Sequence, residues 1–198
     1  MSGSSPVGNG PAPIRHVVLD RDGVLNRELE DGWLTDVGQW EWEEGALDAL
    51  TIWSAHGILV SVATNQSGIG RGVTSRQAID RVHDWLRAEL ESRGVELVDI
   101  FVCPHAPEEG CECRKPRAGL IRQAVQRSGV PAAATIVIGD DLRDLEAGRA
   151  AGVRVALVCT GKGRRVGGSL DGDALVFRDL REAAMSTVVR ARATTSDR

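Results

Sequence analysis

Short apolar runs that end in polar residues recur along the chain. His16-Val17-Val18-Leu19 leads into Asp20-Arg21-Asp22-Gly23, and the run at 58–63 leads into Thr64-Asn65-Gln66-Ser67. The same pattern returns at 98–102, before Cys103-Pro104-His105, and at 135–138, before Gly139-Asp140-Asp141, and a further apolar run spans 153–158. Their length and β-branched content predict buried strands. Between them lie stretches with apolar residues at helical spacing: 45–56, closed by Gly57; 74–93, with Thr74 as N-cap and Gly94 as terminator; 117–128; and 142–151. Residues 174–177 add an edge strand and 180–190 a closing helix. Strands and helices alternating in this way predict an α/β fold, a doubly wound parallel sheet with helices on both faces. Such a sheet delivers the carboxyl ends of its strands to one edge, where ligands bind. The polar ends are therefore the candidate site.

A chain of 198 residues is one domain's worth, and 42% hydrophobic with 26% charged residues is ordinary for a globular protein. Residues 1–13 form a Gly/Ser/Pro run with no basic segment or apolar core of a secretion signal, so a flexible tail is expected there, a single domain over 14–190 and a second tail over 191–198. The net charge of −4 argues against a nucleic-acid partner, and no apolar run approaches the roughly 20 residues of a membrane span. A cytoplasmic monomer acting on a small molecule is the expectation. Three of the four cysteines, Cys103, Cys111 and Cys113, crowd together, which in such a chain points to a metal rather than to disulfides. Cys159 reads as an ordinary buried thiol.

Asp20 and Asp22 carry the candidate chemistry. Alone they admit a bland explanation, Asp20 capping a turn and Asp22-Gly23 making it. Thr64-Asn65-Gln66 likewise reads as a turn, Lys115 as a solvated side chain and Asp140-Asp141 as the cap of the next helix. Four independent turns would rarely supply a nucleophile, a hydroxyl, a lysine and a metal carboxylate in this order, and the joint reading is phosphoryl transfer. A phosphate ester carries about two negative charges, so a carboxylate can approach it only where cations neutralise the site. Asp20 and Asp140, with the backbone carbonyl of Asp22, would hold Mg²⁺. Lys115 would add a fixed charge, and the Thr64 hydroxyl would hold phosphoryl oxygens. Asp20 would attack to give an aspartyl-phosphate, while Asp22 protonates the leaving alcohol and later takes a proton from water.

DRDGV, the strand ending in Thr64-Asn65, CRKP around Lys115 and GDDLRD at 139–144 resemble the four motifs of the haloacid dehalogenase (HAD) superfamily of phosphatases, over about residues 16–162. The fuller strings DRDGVLN, TNQSGIGRG, CPH with CECRKP, GDDLRDLEAG and LVCTGK are similar to its heptose-bisphosphate phosphatase branch, with the histidinol-phosphate phosphatases as close relatives. The resemblance implies a zinc site in the loop after the third strand. Cys103, His105, Cys111 and Cys113 independently offer three thiolates and an imidazole, a closed tetrahedral set suited to a structural Zn²⁺. The zinc would pin Arg114 and Lys115 at the pocket. The short spacing between His105 and Cys111 is expected to reshape one wall of that pocket.

Neither the 27–44 connection nor the third-strand loop is long enough for a cap domain, so a capless, open site is expected. By the resemblance, Asp31, Gly32, Trp33, Thr64, Asn65, Gln66, Ser67, Arg114 and Lys115 would line it. Trp40 and Trp42 read as loop-anchoring core aromatics, and His16, His56 and His83 as structural or surface residues. Asp141 stands where the heptose enzymes often carry lysine, so a cation near the substrate is missing. Removal of the 7-phosphate of a heptose 1,7-bisphosphate is the implied activity. Histidinol phosphate is the alternative substrate, and a binding module that no longer turns over is the alternative class, disfavoured because Asp20 and Asp22 are both present.

Overall fold

The computed structural model describes residues 12–29, 32–166 and 174–193. Six strands, β1 (His16–Leu19), β2 (Leu59–Asn65), β3 (Leu97–Cys103), β4 (Thr135–Gly139), β5 (Arg154–Val158) and β6 (Leu175–Phe177), form one sheet in the order β3-β2-β1-β4-β5-β6. Every neighbouring pair is parallel. The chain steps outward from β1 to β3, then crosses back over β1 to continue on its far side. This reversal sets the switch point between β1 and β4, where Leu19 pairs with Ile138 and the next residue, Asp20, donates its backbone N–H to the Ile138 carbonyl at 3.1 Å. Ligands of open α/β sheets bind at such a point.

Strand alternation divides the core in two. Val17 and Leu19 point to one face, where they pack with Leu50 and Trp53 of α1 (Ala46–Ala55), Leu86 and Leu90 of α3 (Arg76–Glu91) and Leu180 of α7 (Leu180–Ala193). Val18 and Val137 point to the other, against Leu120, Ile121 and Ala124 of α4 (Gly119–Ser128) and Ala147 of α5 (Leu142–Ala150). Each such fully buried aliphatic side chain contributes about 1.5–3 kcal/mol, so the sheet is held from both sides.

Several boundaries differ from the sequence expectation for local reasons. Helix α3 is capped by Ser75 rather than Thr74: Ser75 has the extended backbone of an N-cap and its hydroxyl accepts from Ala78 N at 3.1 Å, while the Thr74 N–H donates to the Gly68 carbonyl in the preceding turn. Helix α4 starts at Gly119 rather than 117: the preceding residues wrap the cysteine loop so closely that a β-carbon on Gly119 would lie 2.4 Å from the Glu112 carbonyl. Helix α7 runs to Ala193, past residue 190, and residues 1–11 and 194–198, where tails are expected, lie outside the described residues. The single-turn helices α2 (Ser67–Gly70) and α6 (Gly163–Val166) are too short to leave a periodic pattern. Trp40, Trp42 and Trp85 stack with centroids 5.2–6.4 Å apart and anchor the β1–α1 connection to the core, as expected for the first two. Among the described residues, that connection and the β3–α4 loop each form only one 3-10 turn, so no cap domain covers the sheet edge. No helix among them is long and apolar enough to cross a membrane.

Candidate active site

Lys115 is the hub of the site. Its ammonium, only 2% exposed as a residue, donates to the Ala63 carbonyl at 2.7 Å and pairs with Asp20 Oδ1 at 2.9 Å and Asp144 Oδ1 at 2.6 Å. Three donors meet three acceptors, which fixes the side chain completely. Burial works against its charge, but Asp144 and Asp20 outweigh it and hold the pKa above the ordinary lysine value. The backbone is fixed too: Asn65 Nδ2 donates to the Lys115 carbonyl at 3.0 Å and Asn65 Oδ1 accepts from Lys115 N at 3.1 Å. The end of β2 thereby clamps the loop that carries the lysine.

One cation does not balance the carboxylates. Ligand oxygens of Asp20, Asp140 and Asp144 lie within 4.8 Å of one another. Burial pushes Asp20 up to about 6 against the pull of Lys115, and burial followed by the charge of Asp20 pushes Asp140 up to about 8, although Lys162 N donates to it at 2.8 Å. Carboxyls raised in this way mark a place short of positive charge. Lys115 contacts both Asp20 and Asp144; the three carboxylates together could hold a hard divalent cation, and the all-oxygen donors fit Mg²⁺.

Asp22 faces elsewhere. Its carboxylate accepts from Arg21 at 2.8 and 3.0 Å, from Asn26 at 3.0 Å and from Gln66 at 2.9 Å. Burial would raise its pKa, but the Arg21 guanidinium and these hydrogen bonds bring it below the usual carboxylate value. Gln66 Nε2 also donates to the Thr64 hydroxyl at 2.8 Å, so one amide spaces the hydroxyl from the carboxylate.

These residues surround a cavity of about 170 Å³. Asp20, Asp22, Thr64, Lys115 and Asp140 all line it, and so do Gly32, Trp33, Asn65, Gln66, Ser67 and Arg114. Every described residue that the sequence assigns to catalysis, substrate or Mg²⁺ is therefore brought to one place; Asp31 lies outside the described residues. The volume suits a phosphoryl group and the reacting end of a small substrate. Sequence pattern passed over four charged wall residues, Glu28, Arg143, Asp144 and Lys162, and two apolar ones, Leu29 and Leu34. Asp144 could have been found, since it stands three residues after the cap Asp141 and completes a capping box there.

The second cluster lies behind this wall. Cys103 Sγ is 3.6 Å from both His105 Nδ1 and Cys111 Sγ, and Cys113 Sγ is 3.3 Å from His105 Nδ1 and 3.5 Å from Cys111 Sγ. Zn–S bonds of about 2.3 Å and Zn–N bonds of about 2.0 Å imply tetrahedron edges of roughly 3.5–3.8 Å, close to these separations. All four cysteines are free, and burial with the neighbouring thiols pushes Cys113 up to about 12. Three thiols and an imidazole at these separations could hold a metal ion, and such a donor set fits Zn²⁺.

A family model for HAD-hydrolase-like proteins matches residues 112–183. A D-glycero-β-D-manno-heptose-1,7-bisphosphate 7-phosphatase of Neisseria meningitidis serogroup A is 40% identical over 152 residues, 77% of this chain and 81% of that one. Its counterpart in Pseudomonas aeruginosa is 39% identical over 169 residues, 85% of this chain and 94% of that one. The chain belongs to this family of HAD-like phosphatases. The crystal structure of the D,D-heptose 1,7-bisphosphate phosphatase from B. bronchiseptica, in complex with magnesium and phosphate, matches with a TM-score of 0.83 at 35% identity, covering 89% of this chain and 99% of that one. As a member of the family the protein is a phosphoric monoester hydrolase, with the six-stranded α/β sheet that the pattern predicts. Two further cations line the cavity, each tied to a carboxylate: Arg143 pairs with Asp141 at 2.6 Å, and Lys162 pairs with Glu28.

Proposed function

We propose that the protein removes the 7-phosphate of D-glycero-D-manno-heptose 1,7-bisphosphate and leaves the 1-phosphate on the sugar. The observation that carries this reading is the buried Lys115 held between Asp20 and Asp144 at the floor of an uncapped cavity, on a chain whose relatives are named for that reaction. The phosphate on a primary carbon reaches the floor of a narrow cavity with the least hindrance, which favours the terminal position.

In this reading Asp20 attacks phosphorus, a bond forms from its carboxylate oxygen, and the bond to the sugar oxygen breaks. Lys115 and the Thr64 hydroxyl stabilise the charge on the phosphoryl oxygens. Asp22 is ionised in the free protein. A bound phosphate brings negative charge beside it and raises its proton affinity, so that it carries a proton to the leaving oxygen. It then accepts one from the water that hydrolyses the aspartyl-phosphate. Mg²⁺ held by Asp20, Asp140 and the Asp22 carbonyl supplies charge neutralisation during both halves. Zn²⁺ at Cys103, His105, Cys111 and Cys113 has a structural part, pinning the loop that presents Arg114 and Lys115. The four free cysteines fit a reducing compartment such as the cytoplasm.

The test is phosphate release from purified protein with Mg²⁺ across both anomers of the heptose bisphosphate, other sugar phosphates and histidinol phosphate, with ³¹P NMR of the product. Fastest turnover of a heptose bisphosphate with the anomeric phosphate surviving is expected. A higher kcat/KM for histidinol phosphate would overturn the substrate assignment.

A further inference from the structure

On α3 the apolar stripe Ile79, Val82, Leu86 and Leu90 is interrupted by His83, which is only 5% exposed. A polar ring in that position needs a partner. Its Nε2 lies 3.0 Å from Arg21 Nη1, across 62 residues of sequence. A guanidinium has donors only, so the imidazole nitrogen must be the acceptor, and the ring is neutral with its proton on Nδ1. Burial and then the charge of Arg21 agree with this, pushing the His83 pKa down to about 3.

Arg21 is itself fully buried, and the rest of its planar fork is given to one carboxylate. Nε donates to Asp22 Oδ1 at 3.2 Å, while Nη2 donates to Oδ1 at 2.8 Å and to Oδ2 at 3.0 Å. The plane of the Asp22 carboxylate therefore follows the plane of the guanidinium, whose other end is held by His83. We propose that His83 is a positioning residue, which through Arg21 aligns Asp22 for proton transfer. This rests on the role of Asp22 in the reaction above and on no contact between His83 and substrate. Take away the acceptor, and Arg21 Nη1 becomes an unpaired donor on a buried charge, which drives the fork to turn toward another partner and take Asp22 with it. A displacement of about 1 Å in a reacting group can cost on the order of a hundredfold in rate.

Two substitutions separate positioning from plain structural support. In His83→Gln the amide oxygen reaches the place of Nε2; in His83→Asn it stops about one bond short. Both keep a polar group in the same buried slot and share its cost to folding. The Asn variant is expected to lose about tenfold or more in kcat on the sugar bisphosphate with KM kept within about twofold, while the Gln variant stays within about threefold of the parent. With p-nitrophenyl phosphate, whose leaving group needs no proton, the Asn variant should release a burst of one nitrophenolate per site and then turn over slowly, because Asp22 is then required only for hydrolysis of the phosphoenzyme. Equal kcat in the two variants, or a slow Asn variant without a burst, would overturn the proposal. If His83→Asn does not fold, His83→Met, of similar volume and with only a weak acceptor, takes its place in the comparison. Failure of the parent protein on heptose bisphosphate would remove the substrate assignment, and the p-nitrophenyl phosphate burst would still decide the role of His83.

Discussion

Gly23 and Asp140 meet at the floor of the site: a β-carbon on Gly23 would stand 2.1 Å from Asp140 Oδ2. Gly161 closes on the same oxygen from another side, its own β-carbon position 2.2 Å away, and the Thr160 hydroxyl ties the two loops by donating to the Gly23 carbonyl at 2.7 Å. Gly23 also has φ +81°, where a side chain is strained. Gly23→Ala must therefore move the Asp140 carboxylate. At least a tenfold rise in the Mg²⁺ concentration for half-maximal activity is expected, and an unaltered Mg²⁺ titration in a folded variant would show that Asp140 does not hold the metal.

Asp20→Asn keeps the size of the side chain and its place beside Lys115 but removes the nucleophilic oxygen charge. Turnover should fall by at least about a thousandfold with no loss of secondary structure by circular dichroism. A folded variant that keeps more than a few per cent of parental activity would take Asp20 out of the attacking role.

The cysteine cluster predicts one tightly held zinc per chain, measurable by elemental analysis of protein purified without chelator. Cys111→Ser should lower the zinc content and raise KM, since Arg114 is tied to the same loop through the His105 carbonyl at 3.4 Å. The Mg²⁺ dependence should stay as it was, because Asp20 and Asp140 directly follow β1 and β4, outside the cysteine loop. Zinc-free protein with full activity would remove the structural site.

Arg114 lines the cavity beside Lys115 and carries a planar fork suited to phosphate. Arg114→Ala should raise KM for the bisphosphate about tenfold or more while leaving that for a small monophosphate within about twofold. Arg143→Ala should act in the same direction, since it supplies the second arginine of the wall. Equal losses on both substrates would place Arg114 at the reacting phosphate instead.

Acid should destabilise the protein through His16. The ring is fully buried in the sheet, with Nε2 2.8 Å from Ser61 Oγ, and burial lowers its pKa from 6.5 to about 4. Between those values the unfolded chain binds the extra proton, so stability present above pH 6.5 is lost as pH falls toward 4. His16→Gln should reduce the stability loss between pH 7.5 and pH 5 by about 2 kcal/mol in urea titrations. An unchanged slope would mean that His16 does not contribute.

Local pattern carried most of the architecture. Runs such as Val17 to Leu19 and the leucine spacing of α1 and α3 are decided by burial of nearby side chains, so strands, helices and their alternation were legible, and with them the carboxyl edge holding Asp20, Thr64 and Asp140. The thiol and imidazole set was legible too, because metal ligands announce themselves by residue type. Contacts across distant elements were not. That Lys115 spans Asp20 and Asp144, that Arg143 joins the cavity wall paired with Asp141, and that His83 grips Arg21 depend on strand register and on which face of a helix meets which loop. A side chain's partner 62 residues away leaves no trace in its own neighbourhood, so by sequence His83 reads only as a structural or surface histidine. Only the packed sheet and helices, by placing α3 over the end of β1, made it part of the site.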